Sequence, residues 1–340
     1  MIYIFFGTRP EIIKLFPVVL ELQRRRVPHK NVFTGQHIDL YNDVKALMPP
    51  PDILLNTDTS GLSLALSHAK IVSSVESVLA ESKAKLVLVQ GDTTTACAVA
   101  VSAFYRCVPV AHLEAGLRSD DLGNPFPEEG NRRIISQVAT HNFAPTQSAY
   151  SRLINEGARG VHITGNTIVD ALSFFAVRSM TDSLVVVTIH RRENHSKLDI
   201  IFNDLNVSAK ICPYLRFVFP MHPNPAVQKY RHLLTAPNIE VIPPQGYPEM
   251  LSLISRCRFI ISDSGGLQEE AVYFGKKIII VRKVTERPET IECGLGRLAD
   301  TNPSRLIDWA LSLDVSKPTL NPYGDGRSAH RVVNLLADYI

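Results

Sequence analysis

The sequence predicts two doubly wound α/β domains, each built on a parallel sheet. Three observations carry this expectation. Short apolar runs rich in β-branched residues alternate with longer helical patterns along nearly the whole chain. The alternation breaks at the polar segment RSMTDS (178–183) and then starts again. A length of 340 residues, at about 150 residues per domain, points to two domains.

In the first half, candidate strands are Ile2–Phe6, Asn31–Thr34, Lys85–Gln90, Val108–Leu113, His141–Ala144 and His162–Thr164. Helical patterns lie between them at Glu11–Arg24, Leu62–Ser82, Thr94–Tyr105 and Glu129–Thr140. Ile168–Val177 continues with Ile168, Leu172 and Phe175 on one face. In the second half the expected strands are Leu184–Ile189, Leu215–Phe219, Ile239–Ile242, Phe259–Ser262 and Lys277–Val281. Helices are expected at Leu198–Ile211, Ala226–Leu234, Pro248–Arg256, Leu267–Phe274 and Ser304–Leu313, with a final one from Ser328 to Tyr339. Strand–helix alternation of this kind implies βαβ units and mostly parallel sheets.

Composition narrows the function. The chain carries 36 Lys plus Arg against 33 Asp plus Glu, a net charge of +3, so it shows no excess suited to nucleic acid. A hydrophobic content of 45% excludes a disordered chain. No run of about 18 apolar residues predicts a membrane span, and IYIFFG after Met1 is too short for a secretion signal. The five cysteines (Cys97, Cys107, Cys212, Cys257, Cys293) are never spaced CxxC, as in a reduced chain without structural zinc. A cytoplasmic protein that binds neither nucleic acid nor membrane is the expectation.

The unusual polar clusters all fall at strand C-termini. They are GTRPE, GDTTT and HLEAGLR in the first half, and HRREN, MHPNP and SDSGG in the second. Open α/β sheets bind ligands outside the carboxyl ends of their strands, so two such sheets facing each other would line one cleft. In ISDSGGLQEEA a strand ends near Asp263, and Ser264, Gly265 and Gly266 open a helix containing Glu269 and Glu270. Free N–H groups and the helix dipole at such a start suit a phosphate. Glu270, one turn along, could accept hydrogen bonds from a ribose diol. An ordinary serine-capped βα turn fits the same residues. Neither GxGxxG nor GxxxxGK[ST] occurs.

GTRPE places Arg9 at the mouth of the first strand and Lys14 one turn into the next helix. Two cations there suit a diphosphate, and a surface Arg and Lys is the competing reading. Asp92 and Glu114 end successive strands, and NPFPEE brings Glu128 and Glu129 to a helix start. Glu129 reads as a complement to the helix dipole. Carboxylates clustered in a partly dry cleft cannot all ionise freely, so at least one raised pKa is expected. Such a group can hold both a general acid and a general base. His190, Arg191 and Arg192 follow the first strand of the second half, and His190 suits a diphosphate better than a metal, since His112, His190 and His222 are dispersed and HExxH is absent. Arg287 in KVTERPE could reach the same cleft. No GxSxG motif, and no cysteine beside a His base, supports a covalent nucleophile.

Taken together, GTRPEIIKLFPV, TGQH, GDTTT, HLEAGLRS, PFPEEGNRR, ITGNTIVDAL, TIHRREN, PMHPNP, DSGGLQEEA, TERPET and NPYGDG resemble the non-hydrolysing UDP-N-acetylglucosamine 2-epimerase family, in family order from residue 7 to residue 326. The resemblance implies a GT-B-like fold. Residues 1–178 would form a Rossmann-like domain with the catalytic carboxylates, and 183–322 a second one that binds UDP. Residues 323–340 would pack back on the first domain. It implies interconversion of UDP-GlcNAc and UDP-ManNAc without nicotinamide, metal or other cofactor, by elimination of UDP to 2-acetamidoglucal and re-addition. Asp92, Glu114, Glu128 and His190 match the family's catalytic residues. Arg9, Lys14, Gln245, Ser264, Gly266, Glu270 and Arg287 match its UDP-binding set. Gln36, His222 and Arg191 or Arg192 match an allosteric UDP-GlcNAc site of some members, although Asp39 and Lys70 depart from that pattern. A homodimer serving polysaccharide biosynthesis is implied as well. A hydrolysing relative that releases UDP and ManNAc, and a catalytically silent UDP-sugar sensor, are the competing readings.

Overall fold

β1 (Ile2–Phe6) and β4 (Leu86–Gln90) bury every residue, as strands covered on both faces do. They lie side by side in a seven-stranded parallel sheet. Its order is β3 (Ile53–Leu54), β2 (His29–Phe33), β1, β4, β5 (Val110–Leu113), β6 (His141–Ala144) and β7 (Val161–Ile163). Ile4 stands opposite Asn31 on one side and Leu88 on the other. A second, six-stranded parallel sheet has the order β10 (Ile239–Ile242), β9 (Arg216–Pro220), β8 (Leu184–Thr188), β11 (Phe259–Ser262), β12 (Lys277–Ile280) and β13 (Gly296–Leu298). The strand order reverses between β1 and β4 in one sheet and between β8 and β11 in the other. Those reversals are the crevices where doubly wound sheets take ligands.

The computed structural model describes residues 1–35, 47–55, 57–175, 177, 179–312 and 320–339. They divide into two units, Met1–Phe174 with Tyr323–Ile340, and Phe175–Pro322. Each has a core of its own. In the first, the helix Leu64–Glu81 turns Ile71, Val75 and Leu79 inward at four-residue spacing, beside the alanine-rich helix Thr94–Tyr105. In the second, Ile201, Phe202, Leu205 and Ala209 of the helix Leu198–Ile211 pack on Phe217 and Phe219. Phe202 meets Phe219 edge to face, with ring centroids 5.7 Å apart.

The first unit is completed by the last α-helix of the described residues. Ser328–Leu335 packs on Arg9–Arg24 and Thr167–Phe174. Asp170 accepts the Ser328 and Ala329 N–H groups at 3.1 and 2.9 Å, satisfying donors that a helix start leaves open. Burial raises the pKa of this carboxyl, and the two amide bonds offset part of that shift.

Several elements depart from expectation. The helix expected at Ala226–Leu234 is a short turn, Pro225–Gln228, and a 3-10 turn, Arg231–Leu233. The helix expected at Ser304–Leu313 divides into a 3-10 turn, Pro303–Leu306, and Ile307–Leu311. Ile168–Val177 stops at Phe174, and Val108–Leu113 is extended only from Val110, after a left-handed φ of 56° at Cys107. Strands β3 and β13, and the helices Gln147–Asn155 and Pro288–Glu292, escaped the sequence reading. Among the described residues no helix is long and apolar enough to cross a membrane. Cys97, Cys212 and Cys257 are buried free thiols, whereas Cys107 is exposed. Burial pushes Cys97 up to about 11 and Cys257 up to about 12, which leaves neither as a thiolate near neutral pH.

Candidate active site

At the crevice of the first unit, β1 runs into Gly7–Thr8 and β4 into Gly91–Thr93. Glu11, in the first turn of Arg9–Arg24, joins these two loops. One of its oxygens accepts from Gly7 N (2.9 Å), Thr8 N (2.7 Å) and Thr8 Oγ1 (2.9 Å), and the other accepts from Thr93 Oγ1 at 2.7 Å. Glu11 is buried, and that burial raises its pKa against the pull of these four donors. Thr93 also caps the helix Thr94–Tyr105 by accepting from Ala96 N. A Cβ on Gly7 would come within 2.5 Å of Thr34 Oγ1 and 2.7 Å of Thr95 Oγ1, so only glycine fits where the loops close.

Around this frame stand the acidic groups. Glu114, just past β5, holds a left-handed φ of 62°. One of its oxygens accepts from Lys14 Nζ at 2.6 Å and the other from Gln90 Nε2, so both oxygens are pinned. Lys14 and Glu114 are both nearly buried. Asp92 Oδ2 accepts from the Arg132 guanidinium at 2.9 and 2.7 Å, and its carbonyl accepts from Asn131 Nδ2 at 2.8 Å. Glu128 begins the helix Glu128–Val138, after cis peptides at Asn124–Pro125 and Phe126–Pro127. Its Oε2 is buried with no hydrogen-bond partner among the described residues. A substrate N–H or hydroxyl would satisfy such an atom. Glu129 turns inward instead, accepting from Ser119 N, Arg132 and Arg133. His112 lies behind the site with Nε2 2.7 Å from the Gly91 carbonyl, and burial pushes it down to about 4. Arg9 is half-buried at the start of its helix.

The second unit is organised by a buried carboxylate, Asp263. It accepts from His190 N at 3.0 Å, Arg191 N at 2.8 Å and Asn194 Nδ2 at 3.0 Å, which ties the loop after β8 to the end of β11. The His190 ring lies 3.6 Å from Asp263 and stacks on His222, centroids 5.4 Å apart. Arg191 is half-buried and Arg192 exposed. The helix Gly265–Phe274 starts at Ser264, whose N–H donates to Ser262 Oγ at 2.9 Å. At Gly265 a Cβ would meet Arg287 Nη1 at 2.6 Å, whereas at Gly266 it would meet open space. Arg287 donates to Glu269 at 2.6 Å and to Glu286, so its guanidinium is anchored against this helix start. Arg282 bridges Glu286 and Glu193, which binds the loop after β12 to the loop after β8. Glu270 accepts from Tyr247 Oη at 3.0 Å. Gln245 is half-buried and donates to the Pro243 carbonyl.

In the first unit, then, Arg9, Lys14, Asp92, Glu114 and Glu128 arise at the C-terminal ends of neighbouring strands or on the helices that follow. In the second, His190, Arg191, His222, Ser264, Gly266, Glu270 and Arg287 do the same. Gln36 and Asp39 lie outside the described residues. Lys70 Nζ donates to the Asp58 carbonyl. Sequence reasoning missed Gln90, Arg132, Asn194, Tyr247 and Arg282, and it did not give Glu11 or Asp263 the anchoring parts they hold. Among the described residues, no group of three or more His, Cys, Asp or Glu side chains is placed to hold a metal.

Comparison with known proteins identifies the family. Residues 20–337 match the family model described as UDP-N-acetylglucosamine 2-epimerase. The chain is 38% identical to the UDP-N-acetylglucosamine 2-epimerase of Campylobacter jejuni, over 98% of this chain and 97% of that one. The crystal structure of UDP-GlcNAc 2-epimerase from Neisseria meningitidis bound to UDP-GlcNAc superposes with a TM-score of 0.91, at 34% identity over 99% of each chain. The Methanocaldococcus jannaschii UDP-GlcNAc 2-epimerase in complex with UDP-GlcNAc and UDP gives 0.87, at 32% identity over 99% of each. The fold class is thus GT-B-like, with two Rossmann-like domains, and the chain belongs to the UDP-N-acetylglucosamine 2-epimerase family.

Proposed function

We propose that this enzyme of the UDP-N-acetylglucosamine 2-epimerase family works without net hydrolysis. It interconverts UDP-GlcNAc and UDP-ManNAc by eliminating UDP to 2-acetamidoglucal and adding it back. The observation that carries this reading is the acidic group at the first crevice: Asp92, Glu114 and Glu128, the last with a buried oxygen still unpartnered among the described residues. The C2 proton of the sugar has no carbonyl beside it to acidify it, so departure of UDP must carry much of the barrier. Carboxylates remove the proton from one face of C2 and return it to the other. His190, with the Ser264 hydroxyl and the N–H groups of Gly265 and Gly266, stabilises the charge that develops on the leaving diphosphate, and Arg9 and Lys14 are the first unit's candidate cations for it. Glu270 receives the ribose hydroxyls, with Gln245 and Arg287 completing the nucleotide set. Arg287 acts from its fixed place against the helix start. No metal or nicotinamide is needed for such a step. The reading extends to a cytoplasmic homodimer serving polysaccharide biosynthesis, with Arg191, Arg192, His222 and Gln36 available to a second, activating UDP-GlcNAc.

One experiment tests the mechanism. The purified chain is incubated with UDP-GlcNAc in D2O without NAD and followed by proton NMR. The expected products are UDP-ManNAc and deuterium at C2 of both sugars. Stoichiometric release of UDP and free ManNAc would replace this mechanism with a hydrolysing one. Unchanged substrate, with or without added UDP-GlcNAc in excess, would leave a sensor.

A further inference from the structure

We propose that Tyr247 is a positioning residue that sets the enzyme's selectivity for an intact ribose. The inference rests on the placement of the ribose at Glu270. Tyr247 begins the helix Tyr247–Arg256 and is 6% exposed. Its Oη lies 3.0 Å from Glu270 Oε1, in a contact buried on both sides. The phenol is the donor and the carboxylate oxygen the acceptor. The ring cannot swing away freely, because Phe175 meets it edge to face with centroids 5.3 Å apart at 77°.

Glu270 lies four residues beyond Gly266 in the helix Gly265–Phe274, so the two share a face one turn apart. At Gly266 a side chain would meet open space, which leaves room for a ligand at the helix start. One turn is about 5.4 Å of rise. A nucleotide whose diphosphate sits at that start therefore brings its ribose to Glu270. A carboxylate gains selectivity for a diol only when its plane is fixed, since a rotating group would accept equally from water. Tyr247 fixes that plane by occupying one lone pair of Oε1. A buried polar group left unpaired by a missing substrate hydroxyl rejects the analogue strongly, so the selectivity depends on how rigidly Glu270 is held.

The test compares UDP-GlcNAc with its 2′-deoxy and 3′-deoxy uridine forms on the full chain, in wild type, Tyr247→Phe and Glu270→Gln. The expected result is a wild-type KM preference for the ribo substrate. Tyr247→Phe should raise KM for the ribo substrate about tenfold, as for a lost bond to a charged group. It should leave KM for the deoxy forms nearly unchanged, with kcat and melting temperature close to wild type. Equal loss on all substrates would mean a merely structural tyrosine and would overturn the inference. If Glu270→Gln erases the preference and Tyr247→Phe keeps it, the ribose placement stands and the inference about Tyr247 falls. A wild type with no preference would remove the ribose from Glu270, and this inference with it.

Discussion

The two sheets share a strand order, yet their crevices are built in opposite ways. In the first unit two of the three candidate carboxylates are held by side chains from other elements: Glu114 by Lys14 and Gln90, and Asp92 by Arg132. In the second unit the fixed carboxylate is the support. Asp263 gathers backbone N–H groups and thereby orients His190 and Arg191, while Glu269 and Glu286 hold Arg287. Under the proposed mechanism the same topological address would serve proton transfer in one unit and anion binding in the other. The doubly wound sheet supplies the location, and the loops supply the chemistry.

If that division is correct, substitutions in the two units should separate turnover from nucleotide binding. The largest effect is expected from Asp92→Asn, which should slow C2 deuterium exchange by about 10²- to 10⁴-fold, the usual contribution of an acid–base group. UDP binding by calorimetry should survive; undiminished exchange would remove Asp92 from the mechanism. Asp263→Ala tests the opposite unit. It leaves two backbone donors and Asn194 Nδ2 without their buried acceptor, and it should cost about 3 kcal/mol in denaturant unfolding. A loss below about 1 kcal/mol would mean that the loop holds itself.

Acid titration provides a third contrast. His112 is buried and pushed down from 6.5 to about 4, so between those values the unfolded chain binds a proton that the folded unit refuses. Its contribution is complete above pH 6.5 and is lost as pH falls toward 4. By then the loss should be about 3 kcal/mol relative to neutral pH. Glu11 and Asp170, both raised by burial, act in the opposite sense, so the measurement is a difference between chains. His112→Gln should flatten the acid limb of stability relative to wild type, and parallel curves would refute the assignment. The smallest effects are expected at the paired glycines. Gly266→Ala should leave stability unchanged or raise it by up to about 1 kcal/mol, while weakening UDP binding. Gly265→Ala should disturb the Arg287 anchor and lower stability. If Gly266→Ala leaves UDP affinity intact, no phosphate sits at that helix start.

Much of this arrangement was legible in the sequence. The buried parallel strands announce themselves as unbroken apolar runs, and the polar clusters mark their ends, so Asp92, Glu114, His190 and Ser264 could be placed without coordinates. What escaped depends on direction. Glu129 has arginines at both i+3 and i+4, Arg132 and Arg133, and sequence spacing does not show that Arg132 continues to Asp92. Glu11 drew no reading of its own in the sequence, and its bond to Thr93 is a contact across 82 positions of sequence. Asp263 closes a strand, and the amides it collects lie about 70 residues earlier, in the loop after β8. Strand β3 is two residues long and carries almost no periodic signal.

The return of the chain to its first unit at Tyr323 also bears on how the protein is made. A ribosome delivers the whole of Phe175–Pro322 before it releases the helix whose Ser328 and Ala329 amides Asp170 awaits. The later-made unit can close while the earlier one still exposes the faces of Arg9–Arg24 and Thr167–Phe174 that Ser328–Leu335 will cover. Birth order and order of completion are therefore reversed. The unit that emerges first is complete only after the residues from Tyr323 onward have left the ribosome, and termination before them would spare the later-made unit and leave the earlier one open.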